Sequence, residues 1–247
     1  MVQQTSVNFA ISKTRANIPI NSTLWHNTSV ILFTIKEVKK FFHDTAERSY
    51  GPGQIVIYNG DTPDYVMFVK SGAVKFYDID GKGNEKILHI AGKGSVFPLF
   101  YPFEDKRAVK AFYTTICDTD ILLIPLEDFR QKLKTIPQYA FHVLRWYAKE
   151  MNHVIDRIGS LEKSKSKPKL LQALFYLYSQ HSETIRLKSE WYRVNFPVTQ
   201  QMLADMTGLT RETVNMWLQE IEKSKIVRNS KYGLDIHKTN ITNALSD

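Results

Sequence analysis

The sequence predicts an α+β chain in three parts: an N-terminal antiparallel β-roll of jelly-roll type, one long dimerisation helix, and a C-terminal winged helix-turn-helix domain. Three observations predict it. Residues 46–125 carry short β-rich runs cut by glycines, residues 137–163 carry an unbroken apolar heptad, and residues 199–224 have the residue pattern of two short helices crossing steeply. With 247 residues and 43% hydrophobic content, the chain is long and apolar enough for one or two real cores.

Residues 1–33 are polar and irregular and read as an N-terminal arm. In the run 34–43, TIKEVKKFFH, a capping Thr34 precedes Ile35, Val38, Phe41 and Phe42 on one side and Lys36, Lys39 and Lys40 on the other, which predicts a short amphipathic helix. Strands are expected at 55–58, 65–80, 85–92 and 120–125, with turn residues between them at 51–53, 60–61, 81–83 and 92–94. That spacing argues for a roll or sandwich, and 126–133 should be its exit helix.

From 137 to 163 the residues Ala140, Leu144, Tyr147, Met151, Val154, Ile158 and Leu161 alternate spacings of four and three without a slip. So narrow a stripe suits a helix that pairs with a copy of itself, and a parallel two-fold homodimer through Leu144, Tyr147, Met151, Val154, Ile158 and Leu161 is expected. Lysines alternating with Ser164, Ser166 and Pro168 form a polar break, read as a hinge. The expected division is therefore an arm at 1–33, a sensor roll at 34–135, a dimerisation helix at 136–163 and a winged domain at 164–247. Within the last part, 170–180 is an apolar floor helix and 226–237 is a hairpin placed as a wing.

The stretch TQQMLADMTGLTRETVNMWLQEIEKS is the most informative. Counting Gln200 as the first position puts Ala204 at the fifth, Gly208 at the ninth, Val214 at the fifteenth and Trp217 at the eighteenth. Steeply crossing helices need a small residue, a turn and two apolar plugs at those places. Thr199 and Thr210 are expected to cap the two helices, and Gly208 to end the first. The second helix buries Val214, Trp217, Leu218 and Ile221 and leaves Arg211, Glu212, Asn215, Met216 and Gln219 free. Arg reads guanine, Glu accepts from cytosine, and Asn or Gln reads adenine in a DNA major groove. The expected contact set is Thr199, Thr210, Arg211, Glu212, Thr213, Asn215, Met216 and Gln219, with Arg228, Lys231 and Ser230 of the wing on phosphates.

The net charge of +8 is biased toward this end: residues 163–247 hold 13 Lys and Arg against 8 Asp and Glu. That excess favours a polyanionic partner. Cys117 is the only cysteine, so intrachain disulfides and cysteine-ligated clusters within one chain are excluded, and it reads as an apolar filler. No stretch is long and apolar enough to span a bilayer, and the run at 30–33 is too short for a signal peptide. A cytoplasmic chain without membrane association is expected.

The segment GLTRETVNMWLQEIEKSKIV resembles the recognition helix of Crp/Fnr transcription regulators, in which Arg-Glu-Thr-Val opens the helix. PGQIVIYNGD followed by YVMFVKSGAVKFY resembles the cyclic-nucleotide-binding-type roll of the same family, with Gly53, Gly60 and Gly72 at its corners. The resemblance implies that Arg211 and Glu212 read bases. It also implies a regulator that binds a pseudo-palindromic operator in double-stranded DNA and has RNA polymerase as a partner. Met216 departs from the family's usual Arg, and a thioether cannot donate to guanine.

Cyclic-AMP binders of this family use a Gly-Glu pair for the ribose and an Arg-Ser or Arg-Thr pair for the phosphate. This chain has GSVFPLFYPF at the first place and Val109-Lys110 at the second. Lys110 offers a point charge but no bidentate fork, so a different effector, or none, is expected, and no cofactor. The remaining aromatics suggest a pocket of Phe97, Phe100, Tyr101, Lys110, Phe112 and Tyr147 for an unidentified small molecule; the alternative is that these rings fill the roll. A protein-tuned regulator without a small-molecule sensor is a further alternative. A metal enzyme on the roll would need several His and a carboxylate, and the roll's β-rich runs offer only His89. No catalytic or metal-binding residues are assigned.

Overall fold

The computed structural model describes residues 41–42, 45–98, 101–103, 108–161, 165–185 and 189–246. The arm expected at 1–33 and, apart from Phe41 and Phe42, the helix expected at 34–43 lie outside the described residues. So do Phe100 and the side chain of Leu161.

The N-terminal part is built from two four-stranded sheets in which every pairing is antiparallel. The first holds β1 (Ala46–Tyr50), β8 (Thr119–Pro125), β3 (Tyr65–Ser71) and β6 (Val96–Phe97), in that order. The second holds β2 (Ile55–Ile57), β7 (Phe112–Thr115), β4 (Ala73–Ile79) and β5 (Glu85–Gly92). The run 65–80 thus divides between the two sheets at Gly72. Its φ is +83°, and a Cβ there would stand 2.4 Å from both the Asp118 carbonyl oxygen and Thr119 Oγ1. Only glycine satisfies that dihedral and that gap together.

Three strands fall outside the expected runs. β1, AERSY, is mostly exposed and charged, β6 has two residues, and β7 lies in the stretch read as a pocket wall. None carries an apolar pattern long enough to declare a strand.

Three apolar clusters follow from this layering. Between the sheets lie Ile57, Met67, Val69, Val74, Ala91, Phe97, Tyr101, Tyr113, Ile121 and Leu123. The opposite face of the first sheet, with Val66, Phe68 and Ile124, packs on Phe41, Phe42 and two helices, α1 (Leu126–Thr135) and α2 (Pro137–Leu161). Burial on both faces explains why β3 reads as a continuous apolar run instead of alternating.

The third cluster joins the outer face of the second sheet to the C-terminal part. Ala73, Tyr77, Ile87 and Ile90 are buried with Leu170, Leu174, Leu177, Met202, Met206, Val214 and Ile221. That part comprises α3 (Ser166–His181), β9 (Ser182–Thr184), β10 (Trp191–Val194), α4 (Gln200–Thr207), α5 (Arg211–Lys223), β11 (Val227–Ser230), β12 (Gly233–His237) and α6 (Lys238–Ser246). Its sheet runs β11-β12-β10-β9. α3 starts at Ser166, four residues before the apolar run begins, because the residues leading into it still complete helical turns. β9, β10 and α6 have no counterpart in the sequence reading.

Placing Ala at position 72 is expected to cost at least about 2 kcal/mol, since a wrong-handed dihedral and a steric overlap add. Denaturant unfolding of Gly72→Ala measures it, and an unchanged midpoint would mean the corner is not constrained.

Candidate nucleic-acid interface

The helix-turn-helix is assembled by local chemistry. Thr199 Oγ1 accepts from the Met202 N–H at 3.0 Å and so caps α4. Gly208 closes that helix at φ +70°, its N–H donating to the Ala204 carbonyl at 2.8 Å. Thr210 Oγ1 then accepts from the Thr213 N–H at 3.2 Å and opens α5. Ala204 is buried at the crossing, and Val214 and Ile221 are fully buried plugs. Trp217 and Leu218 are half-buried against the same core. Trp217 Nε1 donates to Ser166 Oγ at 2.8 Å, and Lys167 pairs with Glu220 at 2.6 Å. The back of α5 is therefore bolted to the first turn of α3.

The opposite face is open. Arg211, Glu212, Met216 and Gln219 are exposed, while Thr213 and Asn215 are half-buried. Bonds from its own backbone N–H and from the Thr210 hydroxyl hold the Glu212 carboxyl below the usual carboxylate range. It is therefore an anion and a pure acceptor at neutral pH. Thr199 and Thr210 spend their hydroxyls on the caps, so they shape the motif from within. Asn215 Oδ1 accepts from Gln200 Nε2 at 2.9 Å, a contact the sequence reading missed because it treated the two helices separately.

The hairpin β11–β12 follows α5, and its first strand packs on that helix. Lys231 and Tyr232 are exposed at its tip. Arg228, expected on phosphate, is also engaged within the wing: its Nε donates to Asp235 Oδ2 at 3.0 Å and its guanidinium lies 4.3 Å over the Trp191 ring. Arg193 reaches the other oxygen of the fully buried Asp235 at 2.7 Å. Asp235 faces both arginines in the strand register, and that direct cross-strand opposition was the available signal. Ser230 is also engaged internally, donating to the Gly233 carbonyl at 3.0 Å and so closing the turn.

Of the six residues read as an effector pocket, Phe100 lies outside the described residues, and the other five do not converge. Phe97 and Tyr101 lie between the sheets, where Phe97 stacks on Tyr113 at 5.5 Å. Phe112 points to the other side of β7, stacking on Tyr77 at 5.5 Å next to the C-terminal domain. Strand alternation separates them. Lys110 is exposed. Tyr147 meets Phe103 edge-on at 5.0 Å in the cluster under the helices, and burial raises its hydroxyl pKa.

The same turn of Tyr147 toward the roll alters the expected seam on α2. Tyr139, Val143 and Trp146 are buried against the roll, and Tyr147 and Val154 flank that inner side. The outer face carries Phe141, Leu144, Ala148, Met151, Ile155 and Ile158, again spaced three and four, and all exposed. The sequence offered two registers sharing Leu144, Met151 and Ile158. Tyr147 packs into the cluster beneath the roll and Ala140 and Val154 are half-buried, while Phe141, Ala148 and Ile155 are exposed.

Where the two domains touch, α4 lies on β5. Burial, reinforced by the Glu85 carboxylate, raises the pKa of Asp205, while Gln201, Lys75 and Lys86 oppose the shift. Nearby, Tyr176 of α3 accepts from the Ile90 N–H at 3.3 Å and stands 3.4 Å from His89 Nδ1 and 3.2 Å from His181 Nε2. His89 Nε2 is 3.4 Å from Glu150 of α2. His89 is therefore engaged in a junction among roll, long helix and C-terminal domain. Among the described residues no group of three or more His, Cys, Asp or Glu is placed to hold a metal ion, and no helix is long and apolar enough to cross a membrane. Cys117 is half-buried against the shared core.

A roll joined by a long helix to a winged helix-turn-helix with an open polar reading face defines a DNA-binding transcription regulator. Residues 47–135 match the cyclic nucleotide-binding domain family, and residues 169–240 match the Crp-like helix-turn-helix domain family. The chain belongs to the Crp/Fnr family of transcription regulators. It is 24% identical over 200 residues to the HTH-type transcriptional regulator ArcR of Staphylococcus haemolyticus, covering 78% of this chain and 84% of that protein. To the cyclic AMP receptor protein of Thermus thermophilus it is 24% identical over 182 residues, 73% of this chain and 79% of that one. The solved structure of FixK2 from Bradyrhizobium japonicum superposes with a TM-score of 0.68 at 20% identity, over 81% of this chain and 96% of that one.

Because its pKa is raised in the folded chain, Asp205 adds stability only while protonated. That contribution is complete below the ordinary carboxyl value of about 4 and is lost as pH rises through the raised folded value. Asp205→Asn is expected to raise Tm at pH 7, with the gain shrinking as pH falls toward about 4. Thermal melts across that range check the sign.

Proposed function

We propose that the chain acts as a homodimer that reads a pseudo-palindromic operator, one half-site per recognition helix. The supporting observation is the outer face of α2. Phe141, Leu144, Ile155 and Ile158 are 60%, 65%, 57% and 55% exposed, and Met151 is 44% exposed. They form one row about 26 Å long, from 17 residues at 1.5 Å each. A strip of this size at heptad spacing suits a second copy of the same helix. Pairing there relates two reading faces by a two-fold axis, and half-sites one helical turn apart are the corresponding DNA geometry.

Arg211 and Glu212 are the principal base readers, with Asn215, Met216 and Gln219 farther along the helix and Lys231 on phosphate at the wing tip. Arg228 is a wing-sheet residue first and a phosphate contact through its remaining N–H groups second. RNA polymerase is the further partner in this reading, and no catalytic step is assigned.

The roll is read as independent of cyclic nucleotides. At the place of the family's phosphate-binding pair, Val109 is buried, with its N–H donating to the Asp61 carbonyl and its carbonyl accepting from Gly60, both at 2.8 Å. Lys110 beside it faces solvent. Tyr113 fills the interior, 4.9 Å from Phe76 and 5.5 Å from Phe97. These contacts support a roll filled by its own rings, so activity without an effector, or under control of a protein partner, is favoured over a small-molecule pocket.

Arg211→Ala and Glu212→Ala are each expected to lower discrimination between operator and mismatched duplex by about tenfold or more while sparing non-specific binding. Competition binding against mismatched duplexes measures this, and variants that discriminate as well as the parent would show the reading face is misassigned. The double variant Leu144→Glu, Ile158→Glu is expected to sediment as a monomer and lose operator affinity. A dimer that survives both charges would place the interface elsewhere.

A further inference from the structure

The exposed face of α5 is polar except at one place. By helical periodicity Glu212, Met216, Gln219 and Lys223 lie on the side opposite the buried Val214 and Ile221, and all four are exposed. Met216 is 53% exposed and is the one large apolar side chain of α5 left to solvent, since Trp217 and Leu218 are half-buried against the core. A single exposed apolar residue on a surface is ordinary. This one stands four residues after Glu212 and three before Gln219, so the three are neighbours on one helix face. A duplex that covers the other two covers Met216 as well.

A thioether has no hydrogen to donate, and its sulfur is a weak acceptor. In the major groove guanine presents O6 and N7, adenine N7 and its amino group, cytosine its amino group, and thymine O4 and the C5-methyl. Met216 satisfies none of the polar groups, thymine O4 included. The methyl is the one apolar feature on any of these edges, and covering it removes apolar surface from water on both partners. An unbranched side chain with three rotatable bonds adapts to reach it.

Resting on the groove-reading role of α5 argued above, we propose that Met216 recognises the C5-methyl of a pyrimidine, which is thymine in an unmodified operator. Specificity at that base pair is carried by apolar burial, whereas Arg211 and Glu212 act through hydrogen bonds. Four residues at 1.5 Å rise put Met216 about 6 Å beyond Glu212 along the helix, roughly two base steps of about 3.4 Å. The methyl therefore lies within about two base pairs of the one that Glu212 reads.

The test uses the full-length protein and a duplex it selects from a random pool. Each thymine of the half-site is replaced singly by deoxyuridine, which removes only the methyl. One thymine, within about two base pairs of the position whose preference Glu212→Ala flattens, is expected to lose about three- to fourfold in affinity, the effect of one buried carbon. The loss should vanish in Met216→Ala and persist in Met216→Leu. With cytosine placed at that position, 5-methylcytosine should bind the parent about three- to fourfold more tightly than plain cytosine, and Met216→Ala should bind both equally. A half-site in which no methyl matters, or a methyl effect of the same size in parent and Met216→Ala, overturns the proposal. Failure of the groove-reading role itself looks different: the parent selects no duplex, and neither Arg211→Ala nor Glu212→Ala changes any base preference.

Discussion

The outer face of the second roll sheet is apolar, and the C-terminal domain is what covers it. Tyr77, Ile87 and Ile90 on one side meet a core of Leu174, Leu177, Met202 and Met206 on the other. Burying side chains of this kind is worth about 1.5–3 kcal/mol apiece relative to exposure, so the contact sets how the two domains sit. It is close-fitting as well as apolar: a Cβ on Gly92 would stand 2.8 Å from His181 Nδ1. With α4 held on β5, the capped turn at Gly208 leads into α5, whose polar face is exposed.

The long helix resolves a second constraint. A helix with apolar residues on more than one side has to divide them between partners. Val143 and Trp146 go to the roll, together with the aromatic edge of Tyr147. The remainder, from Phe141 to Ile158, stays outside. The His89–Glu150 contact and the Tyr176 hydroxyl sit where that helix, the roll and the C-terminal domain meet. A displacement of any one of the three therefore has to break polar contacts that are sheltered from water, which makes the junction sensitive to the relative placement of the roll and the C-terminal domain.

At the reading end, structure and chemistry are separated by residue. Threonines and a glycine set the helix ends, buried aliphatics set the crossing, and the exposed polar face is left to Arg211, Glu212, Met216 and Gln219. In the wing, Asp235 draws Arg193 and Arg228 together and stiffens the hairpin from within. Cations on a basic surface are therefore not equivalent: Lys231 at the tip is exposed, whereas Arg228 is already committed to a buried carboxylate.

Much of the architecture follows from short-range rules that the sequence carries in full. The capping threonines, Gly208 and the plugs of the helix-turn-helix act within a few residues of themselves, so the motif and its exposed polar face were legible without coordinates. The central strands and the existence of the long helix were legible for the same reason, through hydrophobic period. Edge strands β1 and β6, the register of the outward seam on α2, the scatter of Phe97, Phe112 and Tyr147 among three clusters, and the engagement of Arg228 and Asn215 were not. Each depends on a partner from a distant part of the chain: which side of a strand faces which core, which flank of a helix the roll claims, which neighbour an amide already bonds. Local pattern states what a residue is able to do, and only packing decides which of its options remain open.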